Sequence, residues 1–207
     1  MISSAPEGII QTKGGWDLTE VSNMDGKCRC KWCNENNPRY VAYHDTQWGK
    51  FRTEDQYLYE MLILESFQAG LSWECVLNKM EAFRTAYDHF DLDKVVCYDE
   101  DKINSLVNDK SIIRHRGKIV ASVENSKIFR QILGDYGSFY DYLKTFTQGK
   151  ILYETGKITN SLSDAIAKDL QKRGMRFVGS KVIYAYLQAI GIVYSHDENC
   201  YLYKSRV

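Results

Sequence analysis

Downstream of Thr53, apolar positions recur three or four residues apart over most of the chain, the spacing that lines one face of a helix. Leu58, Met61 and Leu62 open the first stripe, and Thr53 with Gln56 three residues on has the form of a capping box. The pattern predicts a helix over 54–69 and further helices over 73–89, 100–108, 116–133, 138–146, 162–173 and 181–190. The 162–173 segment has the fullest end signals. Ser161 with Asp164 can cap its start, Lys172 and Arg173 complement the dipole at its end, and Gly174 can take a left-handed stop. The only prolines are Pro6 and Pro38, so ring sterics break no helix beyond residue 38. The expected fold class is all-α. Residues 1–27 lack a sustained stripe and read as a loosely ordered extension to a helical domain over 28–207.

The first stripe contains one residue of the wrong kind. Glu65 follows Leu58, Met61 and Leu62 on the same face, so helical geometry turns its carboxylate toward the apolar interior. A buried charge costs several kcal/mol without partners, which marks either a structural ion pair or a functional site. Its neighbours are aromatic: Trp73 lies shortly downstream in QAGLSW, and Trp32, Tyr43 and Trp48 lie upstream. Aromatic rings around one carboxylate suit a flat cationic ligand. The same rings also suit a helical core, and periodicity alone leaves both readings open.

Composition narrows the setting. Lysine plus arginine equals aspartate plus glutamate at 27 each, so whole-chain charge does not indicate a nucleic-acid partner and local clustering becomes the test. Two acid-free segments pass it. KSIIRHRGK holds Lys110, Arg114, Arg116 and Lys118, and KRGMRFVGSK holds Lys172, Arg173, Arg176 and Lys181. The second lies between two predicted helices, where Gly174 and Gly179 would let backbone amides approach a phosphate, as in a helix-hairpin-helix. His115, among the arginines, reads as a surface or hydrogen-bonded histidine. No apolar run reaches the ~18 residues of a membrane span, and the N-terminus lacks the build of a signal peptide, which points to the cytoplasm.

Three of the six cysteines fall within CRCKWC at 28–33. In a reducing compartment they read as thiols or metal ligands rather than disulfides. His44 follows them, and HDENC brings His196 and Cys200 together near the other end. One Cys and one His from each end would form a closed tetrahedral site suited to structural zinc. Spacing alone does not decide between that and solvated histidines beside incidental thiols, nor which of Cys28, Cys30 and Cys33 would serve.

Taken together, several long strings resemble the 3-methyladenine DNA glycosylase I family, a branch of the helix-hairpin-helix glycosylases. They are CKW at 30–32, YHDTQWG at 43–49, LESFQAGLSW at 64–73, IIRHRGK at 112–118, KRGMRFVG at 172–179 and HDENC at 196–200. The resemblance implies a zinc-containing helical enzyme that flips an alkylated adenine out of duplex DNA and hydrolyses its bond to the sugar, without a Schiff-base lysine. It further implies Cys30, His44, His196 and Cys200 as zinc ligands, Glu65 and Tyr43 as polar contacts to the base, and Trp73 as the ring stacked on it. Trp32 and Trp48 would line the pocket. The basic residues Arg114, Arg116, Lys172, Arg173 and Lys181 would meet DNA with Gly174 and Gly179. Ser66 and Ser111 stand where the family commonly has glycine, and the 32–38 segment is one residue longer than usual. Partners expected on this reading are alkylated double-stranded DNA and the free base as product, with the protein a monomer. No aspartate is clearly placed to activate water, since Asp45 and Asp197 adjoin proposed metal ligands. The competing reading from another class is a non-catalytic, zinc-stapled module that binds damaged DNA; it needs no buried carboxylate beside Trp73.

Overall fold

The computed structural model describes residues 25–204, so positions 1–24 of the expected extension lie outside the described residues. The chain is helical, as its periodicity predicts. Helix α1 (Pro38–Thr46) is absent from the predicted set. Asn37 caps it by accepting from the Arg39 amide at 3.1 Å, and Pro38 takes the first position, where a missing N–H costs nothing. This helix carries Tyr43 and His44.

Helix α2 (Asp55–Gln68) is buried on almost every side from Leu58 to Phe67, as a helix surrounded by other helices must be. The predicted capping box does not form. Glu54 precedes the helix without a side-chain cap, and Gln56 instead donates to the carbonyls of His89 and Phe90, each at 3.0 Å. The single helix predicted over 73–89 is divided into α3 (Trp73–Leu77) and α4 (Met80–Ala86). Arg39 draws the Asn78 carbonyl away at 2.9 Å, and three consecutive left-handed residues, Asp88 to Phe90, end the run.

Helices α5 (Leu92–Val95), α6 (Glu100–Asn108), α7 (Arg116–Tyr136), α8 (Phe139–Thr147), α9 (Ser161–Lys172) and α10 (Ser180–Ala189) complete the set. At α9 the cap is Asn160 rather than Ser161, with Ser163 closing the reciprocal bonds at 2.7 and 2.9 Å. Two short strands, β1 (Leu152–Tyr153) and β2 (Val193–Tyr194), pair in parallel; two residues each are too few to leave a period in the sequence.

Helix α2 packs against α7, α8 and α10, and α9 lies against α10. The core between them is rich in rings, with Phe129 and Phe139 stacked at 4.2 Å. One glycine fixes how the segment after Trp48 meets this body. Gly191 has φ +75°, and a Cβ there would lie 2.4 Å from Lys50 C and Phe51 N. That close approach lets Gly49 and Arg52 donate to the carbonyls of Gln188 and Ile190, each at 3.1 Å, at the end of α10. No helix among the described residues is long and apolar enough to cross a membrane.

Candidate functional site

Helix α2 delivers Glu65 to the interior, 2% exposed, as its apolar stripe predicts. Its Oε2 has no hydrogen-bond partner among the described residues, and neither does Nε1 of buried Trp73. Burial alone pushes the Glu65 carboxyl well above its ordinary range. Tyr43 from α1 packs on Trp73 with ring centroids 5.3 Å apart, and its phenol is pushed up by burial and then by nearby Glu65. Buried polar atoms are almost always partnered within a protein, so those left over mark a place where something else supplies the partner. The group combines an unpartnered carboxyl oxygen, an unpartnered indole N–H and two rings, which suits a planar ligand that both donates and accepts.

The turn joining Glu65 to Trp73 is held by a residue that the sequence misplaces. Lys118, counted above with a basic surface segment, is buried. Its ammonium donates to the Phe67 carbonyl at 2.8 Å and to that of Ala69. Charge density along KSIIRHRGK cannot show that its last member faces inward. His115 in the same string caps α7, its Nδ1 accepting from the Lys118 amide at 3.1 Å.

Cys30, His44, His196 and Cys200 come together as a second group. All four are buried, and one ligand atom from each lies within 4.8 Å of the others, an arrangement able to hold a metal ion. Cys28 is exposed, and Cys33 is buried outside the group. Cys30 Sγ lies 3.4 Å from His196 Nδ1, and Cys200 Sγ lies 3.5 Å from both His196 Nδ1 and His44 Nε2. His44 Nδ1 pairs with Asp45 at 2.7 Å, which leaves Nε2 to face the group. Burial opposes the Asp45 carboxylate, but bonds from His44 and Arg29 outweigh it and hold the acid well below the usual range. Arg29, 7% exposed, bonds Asp45 at 2.8 Å and Asp25 at 2.7 Å, an ion-pair network around a buried guanidinium that no spacing in CRCKWC reveals. Burial and then His44 pull the His196 imidazole down to about 4, which keeps it neutral and ligand-competent at pH 7. Asp197 accepts from the Lys31 amide at 2.8 Å, a structural task.

Trp32 and Trp48 wall this group. Trp48 meets the His196 ring edge-on at 4.7 Å and stacks with His44 at 6.4 Å, while Trp32 lies 4.7 Å from Trp48 and 5.3 Å from His44. The two variant serines are absorbed locally. Ser66 donates to the Ile63 carbonyl at 2.6 Å, and Ser111 donates to Asp109.

The second basic segment does join two helices, α9 and α10. Gly174 takes φ +104°, and Gly179 precedes α10 with φ −67° and open space where a Cβ would stand. Lys172, Lys181 and Arg114 are exposed. Arg173 is engaged by Asp169 at 2.8 Å, and Arg116 by Glu100 and Asn104. Ser180 donates to Asp164 at the head of α10.

Comparison with known proteins places this geometry. A family model described as methyladenine glycosylase matches residues 32–203. DNA-3-methyladenine glycosylase 1 of Escherichia coli (strain K12) is 41% identical over 182 residues, spanning 84% of this chain and 96% of that protein. A crystal structure of a 3-methyladenine DNA glycosylase I superposes with a TM-score of 0.82 at 36% identity, covering 86% of this chain and 100% of that one. A second such enzyme, solved in complex with 3-methyladenine, gives 0.79 at 29% identity over 84% of this chain and 96% of its own. The chain belongs to the methyladenine glycosylase family.

Proposed function

We propose that residues 28–207 form a DNA-3-methyladenine glycosylase that acts in base-excision repair, flipping the lesion from duplex DNA and hydrolysing its N-glycosidic bond. The observation that carries this reading is that two of the four buried side-chain polar atoms without a partner among the described residues, Glu65 Oε2 and Trp73 Nε1, belong to residues beside the Tyr43 ring. Adenine methylated at N3 is cationic, and its bond to the sugar is already labile, so recognition supplies much of the catalysis. Burial disfavours the free Glu65 carboxylate; a cation arriving beside it favours ionisation and restores the missing partner. Neutral adenine brings no such compensation. Stacking on Trp73 offsets the few kcal/mol that flipping costs. Tyr43 completes the polar edge, and Trp32 and Trp48 extend the aromatic wall.

The metal is assigned as one structural zinc ion held by Cys30, His44, His196 and Cys200. Zinc bonds of about 2.3 Å to sulfur and about 2.0 Å to nitrogen at the tetrahedral angle give S···N edges of about 3.5 Å, and the S···N separations above are 3.4–3.5 Å. Zinc supplies no step of the reaction here; it staples the two ends of the chain beside the pocket. The α9–α10 hairpin is read as a helix-hairpin-helix phosphate clamp. At Gly179 neither backbone angle nor packing demands glycine, which is consistent with room kept for a phosphate at the head of α10. Lys172, Lys181 and Arg114, which have no ion-pair partner among the described residues, add positive charge, while Arg116 and Arg173 would contribute on release from their carboxylates.

The test is to incubate the protein with methylated duplex DNA and separate the released bases chromatographically, with Glu65→Ala in parallel. Release of 3-methyladenine with little 7-methylguanine, and much less release by the folded variant, is the expected result. No release from folded, zinc-loaded protein would leave a damaged-DNA-binding module instead.

A further inference from the structure

A cleft of about 300 Å³ opens between the α2–α3 turn and the loop that leads into α9. Gln68 closes α2 and Leu71 lies in the turn after it, while Lys157 and Ile158 come from the loop and Lys181 and Tyr184 from α10. Gln68 stands one helical turn beyond Glu65, and Lys181 lies in the first turn of α10, so the cleft adjoins both the candidate pocket and the hairpin. Leu71 is 42% exposed and Ile158 65%, the highest exposure of any large apolar residue described. A solitary exposed aliphatic needs no explanation. Here two share one cleft with two lysines, and its lining contains no carboxylate.

We propose that Lys157 and Ile158 form a second DNA-contacting lip, with Ile158 pressing on bases uncovered when the duplex opens and Lys157 meeting a phosphate. The inference rests on the glycosylase reading and adds a residue pair to it. Opened duplex presents apolar base faces beside a line of negative charge, the complement of an aliphatic side chain flanked by cations. Lys157 is held 2.8 Å from Glu154 in an i,i+3 pair whose lysine side chain is 54% exposed and whose carboxylate is largely buried. An ammonium carries three donors, so the open side of Lys157 can meet a phosphate while the carboxylate stays in place. A protein partner would be expected to meet Ile158 through a wholly apolar surround, whereas this lining sets Gln68, Gln188, Lys157 and Lys181 among its aliphatics Leu71, Ile158 and Val182.

The test uses the full chain and Ile158→Ser, a change at an exposed site that leaves the fold intact by thermal melting. Base release is timed from one oligonucleotide carrying a single 3-methyladenine, as a duplex and as a single strand. A lip that stabilises opened duplex predicts about a tenfold slower release from duplex, with the single-strand rate unchanged. An unchanged duplex rate overturns the lip while the glycosylase reading stands, and so does an equal loss on both substrates. Wild-type protein that releases no base from either overturns the glycosylase reading and the lip with it.

Discussion

The ammonium of Lys118 donates to the carbonyl of Phe67 across 2.8 Å, joining the first turn of α7 to the last turn of α2. A cation in the first turn opposes its own helix dipole, but at the end of another helix it satisfies carbonyls that lack intrahelical partners. The bond lies between Glu65 and Trp73 in the chain, so it fixes how the two are presented to one another. Lys118→Met keeps the aliphatic stem and removes the donor. Orphaning one buried carbonyl and weakening a second lowers stability by about 2 kcal/mol, read by urea unfolding. Base release should fall further than the loss of folded protein accounts for; activity that merely tracks folded fraction would reduce Lys118 to a structural tie.

Glu65→Gln separates the energetic and catalytic sides of the pocket. In the unliganded protein burial raises the Glu65 acid above its unfolded value, so the folded state binds the proton more tightly. The stability this brings is full below the unfolded value near about 4.3 and is lost as pH rises through the folded one. Glutamine does not ionise. The variant should therefore melt higher than wild type at pH 8, with the difference shrinking toward pH 4. Its rate of base release should drop about 10- to 100-fold, matching the ~1.5–3 kcal/mol of a charge-assisted hydrogen bond. A melting difference that is constant across pH would refute the buried-acid account.

That pocket was legible because Glu65 broke an apolar stripe, and a 3.6-residue period says which way a side chain points. The same period placed α2 and α6 to α10 within a few residues of their observed bounds. It failed where side chains from elsewhere decide the outcome, as with Arg39 taking the Asn78 carbonyl and Gln56 tying the 88–90 turn, and it missed by one residue where adjacent caps compete, as Asn160 and Ser161 do. Helix α1 escaped because its rings and polar residues make a weak stripe. Cys30 could be preferred over Cys28 and Cys33 only through the family resemblance, since the choice depends on folding across 166 residues to His196. Arg29 and Lys118 carried no signal at all, because a buried cation and a surface cation read alike in a sequence.

Gly179→Ala tests the hairpin. The added methyl meets nothing within 4 Å and φ is already negative, so the stability change should stay below about 1 kcal/mol, the difference between glycine and alanine before a helix. Duplex affinity should fall about tenfold, with a shallower salt dependence, because a phosphate can no longer approach the amides. Unchanged affinity and slope would remove the head of α10 from the DNA interface.

The metal group makes the last prediction. Burial pushes the Cys30 thiol up, with neighbouring Cys200 adding to it, so two buried thiolates side by side are unfavourable without a cation between them. A bound dication reverses that balance, which makes metal affinity part of folding stability. Cys200→Ser should therefore purify with far less than one zinc per chain. Its stability should be lower by about 4 kcal/mol when free metal stands about a thousandfold above the wild-type Kd. Chelator should lower the melting temperature of wild type to that of the variant and leave the variant unmoved. At a temperature where both remain folded, base release per folded molecule should change little, since no zinc ligand is among Glu65, Tyr43 and Trp73. A metal-free wild type that melts where the loaded protein does would mean that the four residues pack as a core and staple nothing.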